Sequence, residues 1–499
     1  MNLHPTTQQR TIRTIRRAGT VLASLALAAC ASTGGLHTHA HIADAQSIRA
    51  SDSLKAVPLS AATWPKQAWW KDFGDEQLDR LVDNALKGQP QLRVAEARVR
   101  AAEALAGIAG ASLYPDVTAH VSSERERFSE HGTVPPPIAG TWQTINNASL
   151  GLDYELDFWG KNRATLDAAV DRVHATQVDL QAARLMLSVA VVRTYLRLDS
   201  AYALQNLLQA TLAQKQKILA LTRARVKAQV DSNLELTQAE AALPAVQEQL
   251  EAIGGTIALL RNQLAALEGE GPDAGLTLKR PQVAIRGPVS IPSKLPIDLI
   301  GRRPDVVAQR WRVEAERQDI KVARAQFYPD ISLNAFVGLQ HLGFSGLLSA
   351  GSRVLGIGPA ISLPLFEGGR LRGNLALNQA AYDAAVERYN ATVLGAVHDV
   401  VDQLTALAWI DRQQGEQDQA IDLSQRAYDL AIARYRNGLA NYLQVLAAEG
   451  QVLAQERQQI RLYEHRRELR VELIRALGGG YAPVPPSEAP LSKVNGASP

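Results

Sequence analysis

The sequence predicts a mainly α-helical chain that also carries transmembrane β-barrel strands, built from one structural unit used twice. Three observations carry that expectation. Landmarks recur in the same order about 210 residues apart: Ser112 to Val117 returns as Gln326 to Ile331, Leu156 to Lys161 returns with a two-residue insertion as Leu363 to Arg370, and Arg225 to Gln229 returns as Arg434 to Gly438. A period this long marks two copies of a large unit rather than a short-repeat solenoid. No proline or glycine interrupts Lys161 to Gln229, and Leu375 to Asn437 is nearly as clean. At ~1.5 Å per residue such a run makes a helix of roughly 100 Å. Finally, each unit offers two alternating segments of ~10 residues, the length and period of barrel strands.

Taken in order, residues 1–29 read as a signal peptide. Arg10, Arg13, Arg16 and Arg17 precede an apolar run from Ala18 to Ala29 that is too short to span a bilayer as a helix. Leu27-Ala28-Ala29-Cys30 resembles the bacterial lipobox, in which the cysteine becomes the acylated N-terminus. Cys30 is the only cysteine, so no disulfide forms within the chain; elsewhere a lone cysteine would more often be a buried hydrophobe. Ala31 stands where Asp would retain a lipoprotein at the inner membrane, which fits export to the outer one. Residues 30–62 are small and polar and are expected to form a lipidated flexible linker. His37, His39 and His41 alternate within it. They could hold a metal, but no further ligands lie nearby in sequence, so a solvated linker is expected and no metal or cofactor.

The first unit occupies 63–269, an inter-repeat linker 270–302, the second unit 303–480 and a tail 481–499. Each unit opens with an Ala-rich helical stretch, about 75–111 and about 303–326, ending at a Tyr-Pro whose proline turns its predecessor away from helix. Strands follow. Leu152, Tyr154, Leu156 and Phe158 share one face, and Asp153, Glu155 and Asp157 the other. In the second unit Ile331, Leu333, Ala335, Val337 and Leu339 alternate with Ser332, Asn334, Phe336 and Gly338, and Leu355, Ile357, Ile361, Leu363 and Leu365 alternate with small residues. Two strands cannot make a stable sheet alone. Lipid does not tolerate open edges, so four strands per chain need other subunits to close. The long helical runs carry Leu180, Ala183, Leu187, Val191, Thr194 and Leu198 at heptad-like spacing. Shorter returns follow at about 233–267 and 440–477, the second ending at Gly478-Gly479-Gly480. Abundant alanine on these faces implies close-packed neighbours, as in coiled coils. After Cys30 no apolar run approaches the ~18 residues of a transmembrane helix.

These landmarks resemble the TolC-type outer-membrane factors, specifically the NodT-like lipoprotein branch that serves efflux pumps of the resistance–nodulation–division type. The residues that carry the resemblance are Trp70-Lys71-Asp72-Phe73-Gly74-Asp75, Leu86 to Leu92, Arg302-Arg303-Pro304-Asp305-Val306, Phe327-Tyr328-Pro329, Leu363-Pro364-Leu365-Phe366 with Gly368-Gly369-Arg370, and Ala476-Leu477-Gly478-Gly479-Gly480. It covers essentially everything after Cys30. It implies a homotrimeric tube: four strands per chain in a shared 12-stranded barrel, continuous with a long periplasmic α-barrel of coiled helices. It also implies an outer-membrane exit duct, lipid-anchored through Cys30 and extending into the periplasm, that passively conducts small molecules from an inner-membrane transporter and a periplasmic adaptor.

In such a tube Arg225 to Gln229 and Arg434 to Gly438 fall at the hairpin tips farthest from the membrane. Relatives close the tube and dock the adaptor there, so Arg225, Gln229, Arg434, Tyr435 and Gly438 are the tip candidates. Gly438 suits a turn with positive φ, Tyr435 offers a phenol to bond across hairpins, and Gln229 in place of glycine implies a different first turn. Relatives often carry an Asp where this chain has Ala447, so the candidate gate is Tyr435 with Glu235 or Glu449. A ring of three such glutamates could select cations, and solvated surface charge is the equal alternative. Asp153, Glu155 and Asp157 are assigned to the barrel lumen, which explains them without catalysis.

The formal net charge of +3 over 499 residues is small and interspersed in sign, so no nucleic-acid partner is expected. No phosphate loop, His-Glu-x-x-His or nucleophile elbow is present, so no enzymatic activity is expected and partners must drive transport. A type I protein-secretion duct, a structural trimeric coiled-coil lipoprotein and an ungated porin are the rival readings. Substrate is not legible; the 2 methionines argue weakly against a Met-lined copper or silver route.

Overall fold

A computed structural model describes residues 35–44, 47–48, 52–53, 64–284 and 301–482. Cys30, the signal peptide, residues 285–300 of the inter-repeat linker and nearly all of the tail lie outside the described residues. The backbone repeats as the sequence does. Unit one runs α1 (Glu76–Gly88), α2 (Pro90–Ala111), β1 (Asp116–Arg127), β2 (Trp142–Glu155), α3 (Lys161–Lys227) and α4 (Asn233–Glu268). Unit two runs α5 (Pro304–Ala325), β3 (Asp330–Leu342), β4 (Arg353–Ser362), α6 (Arg370–Arg436) and α7 (Tyr442–Ala476). Helices α3 and α6 are each 67 residues long, and α2 and α5 are each 22. The 67-residue pair span roughly 100 Å at ~1.5 Å per residue.

One expected helix is two. The stretch 75–111 breaks at Gln89, which takes an extended conformation (φ −65°, ψ 121°) before Pro90. Proline disfavours helical geometry in its predecessor and suits a first helical position, where no N–H is needed. The break lets α2 stack end to end on the C-terminus of α4. Gln89 Nε2 donates to the carbonyls of Ala266 and Leu267 at 3.0 and 3.3 Å, and Asn84 Nδ2 donates to Glu268 Oε1 at 3.1 Å. In the second unit Arg303 Nη1 donates to the last helical carbonyl of α7, Ala476 O, at 3.1 Å, so α5 stacks on α7. Each long helix thus lies beside a stacked pair: α3 packs on α2, α4, α5 and α7, and α6 on α5 and α7.

Around the stacking points Trp69, Trp70, Phe73, Leu78, Val82, Val192, Tyr195, Leu196 and Leu264 form the largest apolar core. Asp75 organises its polar rim: its carboxylate caps α1 through the Gln77 amide (2.9 Å) and accepts Tyr195 Oη (2.7 Å) and the Gln282 amide (2.7 Å). Helix α6 contains one window apolar enough, by composition, to cross a membrane. It belongs instead to a helix packed on α5 and α7 along the bundle.

The strands form one antiparallel sheet in the order β1-β2-β3-β4. Register aligns Asp116 with Asp153 and Asn334, and Val117 with Leu152, Ala335 and Ile357. One face is therefore apolar and open to the surroundings, with Val117, Val121, Leu150, Val337, Leu355 and Ile357 exposed. Asp116, Thr118, His120, Asn147, Ser149, Asp153, Asn334 and Gln340 share the other. Phe336 interrupts that polar face and lies over Gly356, where a Cβ would sit 2.6 Å from its ring. Among the described residues both sheet edges, β1 and β4, are unpaired.

Residues 35–44 of the linker are not the free tether expected from its composition. They run along α6, with Leu36 packed against the cluster of Ile320, Ala323, Phe327 and Leu375, and Ala40 against the cluster that includes Val306 and Tyr389. The Asp383 carboxylate accepts the amides of His39 (3.1 Å) and Ala40 (3.0 Å). Asn390 accepts the Ala43 amide (2.8 Å) and donates to the His41 carbonyl (2.9 Å). These paired polar groups and half-buried side chains outweigh the flexibility that small residues would otherwise confer.

Candidate functional site at the hairpin tips

The two helical hairpins turn with one backbone geometry. At the end of α3, Gln229 N donates to Val226 O (2.9 Å) and Val230 N to Arg225 O (2.9 Å). At the end of α6, Gly438 N donates to Tyr435 O (3.1 Å) and Leu439 N to Arg434 O (2.8 Å). Each is a Schellman cap, which needs a left-handed residue at its corner. Gly438 supplies φ +70° and Gln229 φ +59°, the latter alone among non-glycine residues described. The expectation of a different first turn is thus corrected: glutamine adopts the left-handed conformation, at a cost of roughly 1 kcal/mol relative to glycine, because the motif satisfies the helix-terminal carbonyls. Returning helices start on Ser232 and Asn441, whose side chains cap α4 and α7.

Between the turns lies a buried polar lock. Arg225 grips Asp231 through Nε (2.8 Å to Oδ2) and Nη2 (3.0 Å to Oδ1). Its Nη1 crosses to the second hairpin and donates to Tyr435 O at 2.7 Å, while the guanidinium sits 4.4 Å from the Tyr435 ring centroid. Tyr435 Oη donates to Asp231 Oδ2 (2.6 Å) and lies 3.0 Å from Thr222 Oγ1. Tyr435 is 0% exposed, and Ile218, Leu219, Tyr428, Tyr442 and Val445 surround it. The Arg225 guanidinium holds the Asp231 carboxyl below the usual carboxylate range, more than offsetting the desolvation that opposes it. Burial, with the Asp231 charge adding, pushes the Tyr435 phenol up, so it stays a neutral donor.

Of the tip candidates, Arg225 and Tyr435 meet directly; Gln229 and Gly438 form the two corners; Arg434 projects outward beside its own turn. Asp231 and Thr222 were not anticipated. Their only sequence signal is an acid two residues past the turn, at the start of the next helix.

The two candidate gate glutamates are corrected. Glu449 is neither a ring lining a lumen nor solvated: it is 5% exposed, between α3 and α7, and its Oε2 accepts Lys215 Nζ at 2.8 Å. Glu235 closes a capping box at the start of α4, its carboxylate accepting the Ser232 amide (2.9 Å) and bonding the Ser232 hydroxyl. That hydroxyl and backbone bonding lowers its pKa. Oε2 of Glu449 is thus taken up by Lys215, and the Glu235 carboxylate by the start of its own helix. Ala447 is exposed.

At the other end of the helices, Asp153 and Glu155 share the polar face of β2, and Glu155 pairs with Lys161 Nζ at 2.6 Å. Asp157 does not join them. It lies past the strand and caps α3, accepting the amides of Asn162 (3.2 Å) and Arg163 (2.9 Å). The alternation that seemed to extend the strand to Asp157 ends because these free helix-terminal N–H groups capture its carboxylate. Nearby, Trp159 stacks on Tyr328 with centroids 4.7 Å apart. Tyr114, Phe158 and Phe366 are exposed at the same level, where the strands meet the helices. Aromatics in such a belt suit a membrane interface.

Comparison with known proteins agrees with this geometry. The chain is 40% identical over 360 residues to the fusaric acid resistance protein FusA of Burkholderia cepacia, covering 72% of this chain and 68% of that one. It is 31% identical over 382 residues to the multidrug resistance outer membrane protein MdtP of Escherichia coli K12, covering 74% and 78%. Among solved structures it matches the outer membrane protein VceC from Vibrio cholerae at TM-score 0.79 and 36% identity, covering 84% of this chain and 100% of that one. The outer-membrane channel OprN matches at TM-score 0.80 and 27% identity, covering 90% and 99%. The subunit of a tube expected from the sequence, mainly helical with four barrel strands, is the fold of these channels. The outer membrane efflux protein model matches residues 81–270 and 295–479, and the chain belongs to that family.

Proposed function

We propose that three copies close into the exit duct of a tripartite efflux pump, with the hairpin tips as its closable periplasmic end. The observation that carries this reading is the Arg225–Asp231–Tyr435 lock: a nearly buried ion pair in one hairpin holds both the phenol and a main-chain carbonyl of the other. Two unpaired sheet edges per chain favour closure with copies of itself, since an open edge in lipid is not tolerated. Helix α6 exposes Leu377, Leu394, Leu423 and Leu430, and α2 and α4 expose Leu105, Ile108 and Leu259; such exposed apolar side chains suit cover by a neighbouring subunit. Conduction is passive, with energy supplied by an inner-membrane transporter, of the resistance–nodulation–division type by resemblance. The relatives named for fusaric acid and multidrug resistance support small molecules as cargo.

A periplasmic adaptor docks at the tips in this reading. Val230 and Leu234 on the first hairpin, and Leu439 and Leu443 on the second, occupy equivalent positions and are 51–70% exposed. A trimer would present six such apolar pairs. Acylated Cys30 anchors the tube. Leu36 packs against the cluster that holds Leu375, near the strand end of α6, and Cys30 lies only six residues earlier in sequence, which suits an anchor at the barrel base.

The experiment is complementation of a deletion strain, read as intracellular accumulation of a fluorescent efflux substrate. Wild type restores low accumulation. Replacing Val230, Leu234, Leu439 and Leu443 together by Asp should leave assembled trimers in the outer membrane but restore nothing. Full restoration by that variant would refute docking at the tips. Cys30→Ser should abolish lipid labelling; retained labelling would refute the anchor.

A further inference from the structure

The clamped linker presents its histidines in a manner the sequence alone did not suggest. Exposure alternates from residue 35 to residue 40: Leu36, Thr38 and Ala40 turn towards the α5–α6 groove, whereas His37 and His39 face outward. Their imidazole centroids lie 4.8 Å apart, tilted by 56°. His37 Nδ1 is 2.8 Å from the carbonyl of Gly35. A carbonyl only accepts, so in the neutral ring Nδ1 carries the proton and Nε2 is left with its lone pair. That is the arrangement metal-binding imidazoles adopt, with the second ring nitrogen donating to a carbonyl. The Asp383 carboxylate fixes His39 from behind through its amide.

We propose that His37 and His39 form a bidentate site for a borderline divalent transition cation, of the zinc, nickel or copper class, on the outer flank of the tube. Imidazole suits these ions. With a metal–nitrogen bond of ~2.0–2.1 Å, two imidazoles bound cis place their centroids about 5 Å apart, close to the separation found. Among the described residues no group of three or more potential ligands gathers here or elsewhere. Water therefore completes the coordination sphere, and the site is open and of modest affinity. Preorganisation by Asp383 and Asn390 offsets the missing ligands, because the extended backbone does not have to be ordered on binding.

The test uses untagged, full-length trimer in detergent, titrated calorimetrically with Cu²⁺, Ni²⁺ or Zn²⁺ alone. One ion per chain should bind, with Kd on the order of micromolar (about −8 kcal/mol). His37→Ala and His39→Ala should each weaken binding at least about tenfold while trimers persist. His131→Ala, in the loop between β1 and β2, should not. Asp383→Ala should weaken binding by releasing the backbone clamp, and Asp383→Asn should retain part of it. Unchanged affinity in both His37→Ala and His39→Ala overturns the site, as does no binding at ~1 mM ion, the weak end of the affinity scale. Unchanged affinity in Asp383→Ala overturns the role given to the clamp. None of these readouts depends on conduction or on acylation of Cys30.

Discussion

The two hairpin tips share a backbone and differ in chemistry. Arg225 and Arg434 occupy equivalent positions before equivalent corners, as do Gln229 and Gly438, and Asp231 and Ala440. The first arginine finds a carboxylate two residues past its turn and becomes nearly buried, its side chain 12% exposed. The second has Ala440 at the matching position and stays exposed. The first hairpin has Val226 where the second has Tyr435, and Tyr435 is the residue that crosses the gap. Duplication thus supplied two identical scaffolds, and divergence at three positions made one a receptor and the other its plug. Symmetric backbone does not imply a symmetric lock.

The largest effect should follow from Asp231→Ala. It leaves the Arg225 guanidinium without its bidentate partner and removes the acceptor of the Tyr435 phenol. Losing one member of a nearly buried pair costs ~3–5 kcal/mol. Amide exchange across residues 222–235 should accelerate accordingly, whereas Ala440→Asp in the second hairpin should leave first-hairpin exchange unchanged. Equal effects of the two would break the asymmetry. Lys215→Ala tests the same physics one step from the tip, since it strands the buried Glu449 carboxylate. Its cost should be comparable, and the double change Lys215→Met, Glu449→Leu should recover most of it.

Tyr435→Phe removes only hydrogen bonds to Asp231 and Thr222 and keeps the ring beneath Arg225, so ~1–2 kcal/mol of local stability should be lost. Gln229→Gly should act in the opposite direction. It relieves a left-handed non-glycine residue, and stabilisation by about 0.5–1 kcal/mol is expected in first-hairpin exchange. The reverse change, Gly438→Gln, should destabilise the second turn by a similar amount.

Acid is the mildest probe. Asp231 has a depressed pKa, so its contribution is fully present above the unfolded carboxylate value of ~3.9 and is lost as pH falls through its lower folded value. Protection of the tip amides, measured against their intrinsic exchange rate at each pH, should therefore be flat from pH 8 to about 5 and fall only below about 4. A loss of protection centred near pH 6 would point to a different group.

Much of the scaffold was legible because long helices and duplicated landmarks are local, periodic signals. The start of α3 at Lys161 falls where the sequence places it, and its end at Lys227 within two residues. What was not legible depends on partners distant in sequence. The clamp on the linker comes from Asp383, 344 residues from His39. The partner of Glu449 is Lys215, 234 residues away. Asp157 was misplaced because two-residue alternation continues by chance past the strand, and only the free amides of α3 distinguish a cap from a strand position. Gln229 misled for the opposite reason: propensity argues against a left-handed glutamine, and the hairpin imposes it.

The central claim is that the tips close the duct through this lock, and single-trimer conductance in planar bilayers tests it most directly. Wild-type trimers should conduct weakly, and Asp231→Ala trimers several-fold more, with Ala440→Asp indistinguishable from wild type. Wild-type conductance already at the level of an open porin, or no conductance from any of the three, would contradict it.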